Sequence, residues 1–342
     1  MRKRWTVFLA MALIVLFSTT SFAAKTLVVY VTYDAAEAKI IISQFEKDTG
    51  IHVKWVRMSS GTTLNRLRAE KKHPQADVWT GGPSDSYVTA AEYGVLEPYI
   101  PPNAKNIPAK YRDPKGYWNG IYLGIIGFAT NKNYLAKMKK KNKFFEAPTS
   151  WMDLLNPFYE NNIQMPNPGS SGTALTIVST LIQIFGWDRA FEYMKMLDKQ
   201  IQLYTEHGAT GGTAAGLGQC AVGVIFGQDI LHRIYEKHYP LILTFPKEGT
   251  GYEIGGTALI KGAKHVKEAK TFINWMLSKR AQNLWAKTGF FHFPTAIGAT
   301  PPKGWPPLSK IHLINYDAKW TGENRDKIVN TWTKEILERR KK

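Results

Sequence analysis

Cysteine is nearly missing from this chain: among its 342 residues only Cys220 carries a thiol. An intramolecular disulfide is therefore excluded, and the surrounding GQCAVGVIF reads as a buried strand in which a small thiol packs rather than reacts. Long apolar runs are also scarce. The one at 7–17 is too short for a comfortable membrane span, and nothing later in the chain resembles one. It follows a basic start (Arg2, Lys3, Arg4) and precedes small residues at 21–24, so residues 1–23 are expected to be a secretory signal peptide and the product periplasmic. Acidic residues are few, with 27 Asp and Glu against 45 Lys and Arg and a formal charge of +18. Such a charge raises nucleic acid as a partner. The cations are dispersed, however, apart from 137–143 and the RRKK end, and no RNP, helix-turn-helix or zinc-finger pattern occurs. No nucleic-acid partner is expected, and attraction to anionic solutes explains the charge better. Catalytic signatures are missing as well: there is no GxSxG, HExxH, Walker A or CxxC. No enzyme activity, cofactor or metal site is expected. Histidines 207, 232, 238, 265, 292 and 312 are scattered and read as surface imidazoles.

What the sequence does have is an alternation of short apolar strands with helices of about a dozen residues, the pattern of a doubly wound parallel sheet. Residues 27–32 (LVVYVT), 51–55 and 76–80 read as strands. Ile41, Ile42 and Phe45 form the stripe of an intervening helix that Gly50 ends. Residues 120–131 (GIYLGIIGFATN) are long for a strand, carry three glycines and suit a hinge that crosses between lobes. Four Ser/Thr/Gly turns stand at strand-to-helix junctions, at 59–63, 81–85, 170–173 and 208–213. In open α/β sheets that edge of the strands is where ligands bind.

The turn at 57–63 (RMSSGTT) leads into a helical run at 64–71, with Thr62 or Thr63 as the expected cap and Leu64 and Leu67 as its apolar stripe. On that reading Arg66 and Arg68 lie in the first two turns, where cations oppose the helix dipole. An anion bound at the helix start reverses the penalty. Asp229 and Glu248 follow strands of the later half. A carboxylate pair suits glycoside hydrolysis, or acceptance of hydrogen bonds from sugar hydroxyls, while Asp229 also suits a plain helix cap.

The runs SWMDLLNP at 150–157, IQMPNPGSSGTA at 163–174, PQADVWTGG at 74–82, EGTGYEIGGTALIKGAK at 248–264 and LINYD at 313–317 resemble the extracellular solute-binding proteins of ABC importers. The resemblance is to the type II branch of ferric-iron, phosphonate and sugar-phosphate binders, nearest its hexose-phosphate members. It implies an α/β, two-lobed (Venus-flytrap) fold, each lobe a mostly parallel sheet flanked by helices, with hinge strands between them. The expected division is 24–124 plus 257–342 for the first lobe and 125–256 for the second. It implies a monomer that captures a small anionic solute, a sugar phosphate first, and delivers it to an ABC permease in the inner membrane. A phosphonate, another organophosphate or ferric iron is the alternative, and a secreted hydrolase a distant one. Iron binders of this branch carry paired tyrosines where Gln228-Asp229 stand here.

The implied site places the phosphate on Ser59, Ser60, Gly61, Thr62 and Thr63 in the first lobe, with Thr32 and Gly82 nearby. Ser171, Gly172, Thr173 and Thr210 complete it from the second lobe. Gln228 stands where those members have a histidine, and Asp229 and Glu248 are expected to take the sugar hydroxyls. Because carboxylates repel a phosphate, the two ends are expected to lie apart, with Trp79 or Tyr252 as a possible wall.

Overall fold

The computed structural model describes residues 25–341; the segment expected to be a signal peptide lies outside the described residues. Three strand–helix units open the chain. β1 (Thr26–Val31) leads into α1 (Ala35–Thr49), β2 (His52–Arg57) into α2 (Ser60–Ala69), and β3 (Val78–Pro83) into α3 (Ser84–Glu92). The strands are parallel with β1 in the middle. α1 buries Ile41, Ile42 and Phe45, and Gly50 ends it at φ 69°, a left-handed turn that glycine adopts without strain. A short β4 (Leu96–Glu97) precedes β5 (Asn119–Asn131).

The second lobe follows as α4 (Lys132–Lys139), β6 (Ile163–Pro166), α5 (Gly172–Phe185), α6 (Trp187–Leu197), β7 (Ile201–Thr205), α7 (Thr210–Gly216), β8 (Val222–Phe226), α8 (Gly227–Tyr235) and β9 (Leu241–Thr244). The chain then returns through β10 (Tyr252–Ile260), α9 (Val266–Met276), α10 (Lys279–Lys287), β11 (Phe293–Pro294), α11 (Ala318–Glu323) and α12 (Arg325–Trp332).

The strand order β2-β1-β3-β10-β5-β8-β6-β7 runs through both lobes. Its pivot is β5. Residues 119–125 pair antiparallel with β10, while 126–131 pair with β8 and β9. One strand thus serves two sheets, which explains its length. The second crossing lies just before β10, where Ile126 N donates to Gly251 O at 3.1 Å. Residues 325–337, expected with the first lobe, pack into the second: Ile328, Trp332 and Ile336 are buried in the core that holds Trp151, Leu175 and Phe191. An apolar helix face says that it needs a core, not which one, and the composition does not mark this crossing.

α2 departs from expectation at both ends. It starts at Ser60, with extended Ser59 as its cap, and ends at Ala69, so Arg66 and Arg68 occupy its last turn. There they complement the dipole instead of opposing it. Arg66 pairs with Glu70 at 2.7 Å and lies over the Tyr30 ring, and Arg68 lies over Tyr93. Both arginines are engaged away from the helix start.

The first lobe is tied together by Asp77, which is 2 % exposed. Its carboxylate accepts from Val28 N, Lys264 N and His265 N at 2.8–2.9 Å and from the His265 ring at 2.9 Å, joining β1 to the start of α9. Replacing Asp77 by alanine orphans three backbone donors. We expect a loss of about 3 kcal/mol, by the cost of unmade charged hydrogen bonds, read as a lower urea midpoint at unchanged slope. A loss under about 1 kcal/mol overturns this role.

Candidate functional site

All four small-residue turns converge on one cavity between the lobes. Its wall includes Ser59 and Ser60, Gly82 and Pro83, Ser171 to Thr173, and Gly208 and Ala209. The cavity encloses about 550 Å³ counting its open mouth. The starts of α1, α2, α3, α5 and α8 all lie on its wall, through Asp34, Ser60, Pro83, Gly172 and Gln228. Each such terminus carries roughly half a positive charge, and the backbone N–H groups there have no helical acceptor. The convergence follows from topology, because every one of these helices leaves the carboxyl end of a strand or the loop beyond it.

The lobes touch around this cavity. Gly61 N donates to Ser170 O at 3.1 Å, and the Ser59 hydroxyl pairs with His207 Nδ1 at 2.8 Å. Ser59 therefore caps α2 without turning its side chain onto the helix. A Cβ on Gly61 would come 2.8 Å from the carbonyl oxygens of Gly169 and Ser170, and one on Gly172 would come 2.7 Å from the Pro83 ring. Bare glycine lets the two helix starts close on each other.

The cavity has two chemically distinct ends. Ser60, Gly82, Pro83 and Gly172 crowd together at one. At the other, Glu37, Gln228, Asp229 and His292 also line a smaller adjoining cavity with Arg233 and Phe290. Arg57 is the cation on the main wall, with Nε on the carbonyl of Tyr33 at 3.4 Å.

Glu253 is 3 % exposed and accepts from Gln228 Nε2 at 2.9 Å. Burial pushes its carboxyl well above the usual carboxylate range, and the negative charges of Asp229 and Asp85 push the same way. Burial likewise raises the phenols of Tyr33 and Tyr122. Tyr122 OH accepts from Gly82 N at 3.0 Å.

Of the residues expected in the site, Thr32, Ser59, Ser60, Gly82, Ser171, Gly172, Thr173, Gln228 and Asp229 line the cavity. Gly61 is engaged in the lobe contact. Thr62 is not on the wall, Thr63 is buried with its hydroxyl on Ser59 O, and Thr210 is exposed. Glu248 stands elsewhere: its carboxylate accepts from the Ser150 hydroxyl and from Trp151 N, fastening the loop that precedes a short turn of 3-10 helix. The separation expected between the acids and the 59–63 turn is only partial, since Glu248 lies off the cavity while Asp229 and Ser59 line it together from opposite lobes. Trp79 is a core residue stacked on Tyr87, and Tyr252 lines a different groove.

Sequence reasoning missed Asp34, Glu37, Tyr122, Glu253 and His292. Glu37 had a signal: it falls on the stripe of Ile41 and Phe45 at spacings of four, an odd place for a carboxylate. His292, expected at the surface, is 6 % exposed. Cys220 is a core thiol as expected, pushed up to about 12 by burial.

Residues 77–318 match the family model of the bacterial extracellular solute-binding proteins. The periplasmic binding protein AfuA of Actinobacillus pleuropneumoniae, solved with exogenous fructose-6-phosphate bound, is similar in structure at a TM-score of 0.86 and 36% identity, covering 92% of this chain and 99% of that one. The periplasmic binding protein P5PA is similar at a TM-score of 0.85 and 30% identity, covering 91% and 99%. A Salmonella typhimurium protein provisionally named as a 2-aminoethylphosphonate-binding periplasmic protein is 29% identical over 70% of this chain and 68% of its own length.

Proposed function

The chain belongs to the bacterial extracellular solute-binding proteins, and from that premise we propose that it captures a sugar phosphate in the periplasm and hands it to the permease of an ABC importer. The observation that carries the reading is the two-ended cavity. The starts of α2, α3 and α5 together with Arg57 favour a dianionic group, while Glu37, Gln228, Asp229 and Glu253 offer hydrogen-bond acceptors to hydroxyls. A free sugar leaves the helix starts unmatched, and inorganic phosphate leaves the acceptors unmatched. The fructose-6-phosphate in the AfuA structure, at 36% identity, supports the same class.

The acceptors favour one second reading. Buried carboxyl groups also suit an ammonium, so an aminoalkyl phosphonate fits the same two ends, in line with the Salmonella relative. No three His, Cys, Asp or Glu side chains among the described residues gather to hold a metal ion.

The test is a thermal-shift and calorimetry series with fructose 6-phosphate, glucose 6-phosphate, free fructose, inorganic phosphate, 2-aminoethylphosphonate and ferric iron. We expect the hexose phosphates to stabilise the protein by about 2.7 kcal/mol at roughly 100 times Kd, with no turnover. A response to free fructose without one to its phosphate overturns the reading, and a response to the aminophosphonate alone replaces it with the second.

A further inference from the structure

The floor of the cavity holds a pair that the phosphate does not explain. Glu37, in the first turn of α1, and His292, just before β11, meet in the first lobe with His292 Nε2 at 3.1 Å from Glu37 Oε1 and 3.3 Å from Oε2. Glu37 also accepts from Trp285 Nε1. The imidazole is locked by its neighbours: its centroid lies 3.8 Å from the Tyr122 ring, and Trp285 meets it edge-on at 5.7 Å. Its other nitrogen, Nδ1, is buried without a partner.

One further lining residue shares that condition, since Gln228 Oε1 is also buried and unpartnered. Buried polar atoms are rarely left so, and each unmade bond is costly. Two of them on residues that line one cavity point to a ligand that supplies the missing partners.

The hydrogen-bond pattern sets their polarity. A carboxylate only accepts, so a ring with one proton carries it on Nε2 toward Glu37 and leaves a lone pair on Nδ1. Gln228 donates its amide to Glu253, so its oxygen is the free acceptor. Acceptors ask for donors.

We propose that Glu37 and His292 determine specificity: His292 Nδ1 accepts a hydroxyl at the carbon end of the solute, and Glu37 acts as the positioning residue that fixes the ring's tautomer and plane. The site then prefers phosphates whose carbon end is hydroxylated over phosphates without a donor there. This rests on the sugar-phosphate reading and names what makes that reading selective.

The experiment is calorimetry on the full chain with fructose 6-phosphate and inorganic phosphate, comparing wild type with His292→Phe, His292→Asn, Glu37→Ala and Glu37→Gln. His292→Phe keeps a ring against Tyr122 and removes the nitrogen. It is expected to lower hexose-phosphate affinity about ten- to a hundredfold, the cost of unpaired buried groups, and inorganic-phosphate affinity by less than about threefold. His292→Asn returns an acceptor near the Nδ1 position and recovers much of the selectivity. Glu37→Ala loses the selectivity and Glu37→Gln, whose oxygen still accepts from Nε2, regains it. Equal weakening of both ligands by His292→Phe reveals a structural residue and overturns the proposal, as does an unchanged ratio. If the wild type itself ignores fructose 6-phosphate, the sugar-phosphate reading falls first and carries this inference with it. If the wild type binds and the ratio survives in every variant, only the inference falls. Should Glu37→Ala not fold, the His292 pair decides the matter alone.

Discussion

Gly61→Ala is expected to strengthen a helix and cripple the binding site at once. Gly61 is the second residue of α2, and its φ is ordinary, so alanine fits the helix and favours it by several tenths up to about 1 kcal/mol. Closure is another matter. The new methyl would stand 2.8 Å from two backbone carbonyl oxygens of the opposite lobe, Gly169 O and Ser170 O, and backbone yields little. The strain is relieved by holding the lobes apart, which withdraws Ser171 to Thr173 from a ligand seated on Ser59 and Ser60. We expect hexose-phosphate affinity to fall at least tenfold, or about 1.4 kcal/mol, while the unliganded protein melts no lower than wild type. Calorimetry and small-angle scattering check both halves. Wild-type affinity in Gly61→Ala means that the contact with Ser170 is not needed for closure.

Trp151→Ala is expected to give the largest loss of stability. Trp151 is fully buried in the second-lobe core, edge-on to Phe128 at 5.1 Å, and its indole N–H donates to Gly249 O at 3.0 Å. Its own carbonyl accepts from Tyr193 OH at 2.6 Å. Removing the indole leaves a cavity and an orphaned carbonyl, for about 3–5 kcal/mol, a large share of the ~5–15 kcal/mol that holds a domain together. Trp151→Phe, which keeps a six-membered ring but loses the donor and three ring atoms, should cost about 1–3 kcal/mol. Urea unfolding followed by circular dichroism measures both. A drop under about 1.5 kcal/mol for the alanine variant contradicts the packing described for it.

Much of this architecture was legible in the residues. Strand-to-helix alternation pointed to doubly wound lobes, and the length and glycines of β5 marked a crossing. Gly124 has a further reason to be glycine, since a Cβ there would meet the Gln228 amide at 2.2 Å. The four small-residue turns were found because a strand end followed by a helix cap is a local pattern, and topology alone brings such ends together. The acids were harder. Glu248 and Glu253 lie five residues apart in one segment, and only the start of β10 decides that Glu253 enters the cavity while Glu248 fastens a loop. A buried carboxyl group is improbable from propensity, so nothing in composition alone singles out Glu37 or Glu253. The arginines of α2 were misplaced by an error of one helical turn: the helix begins at Ser60, before the threonines taken for its cap. His292 had no signal, because its burial comes from Tyr122 and Trp285, which are distant in sequence.

The packing of α12 bears on how the molecule comes into being. The second lobe draws Ile328, Trp332 and Ile336 into its interior, yet these are made after every other segment of that lobe. The first lobe waits as well, since β10 lies between β3 and β5 and is made only after β6 to β9. Neither half can finish its interior from an emerging chain, and pairing over such separations is slow. An emerging chain therefore holds both interiors open until α12 has been made. For a member of a periplasmic family that delay is useful, because a chain whose interiors are still open is one that a translocation channel can thread.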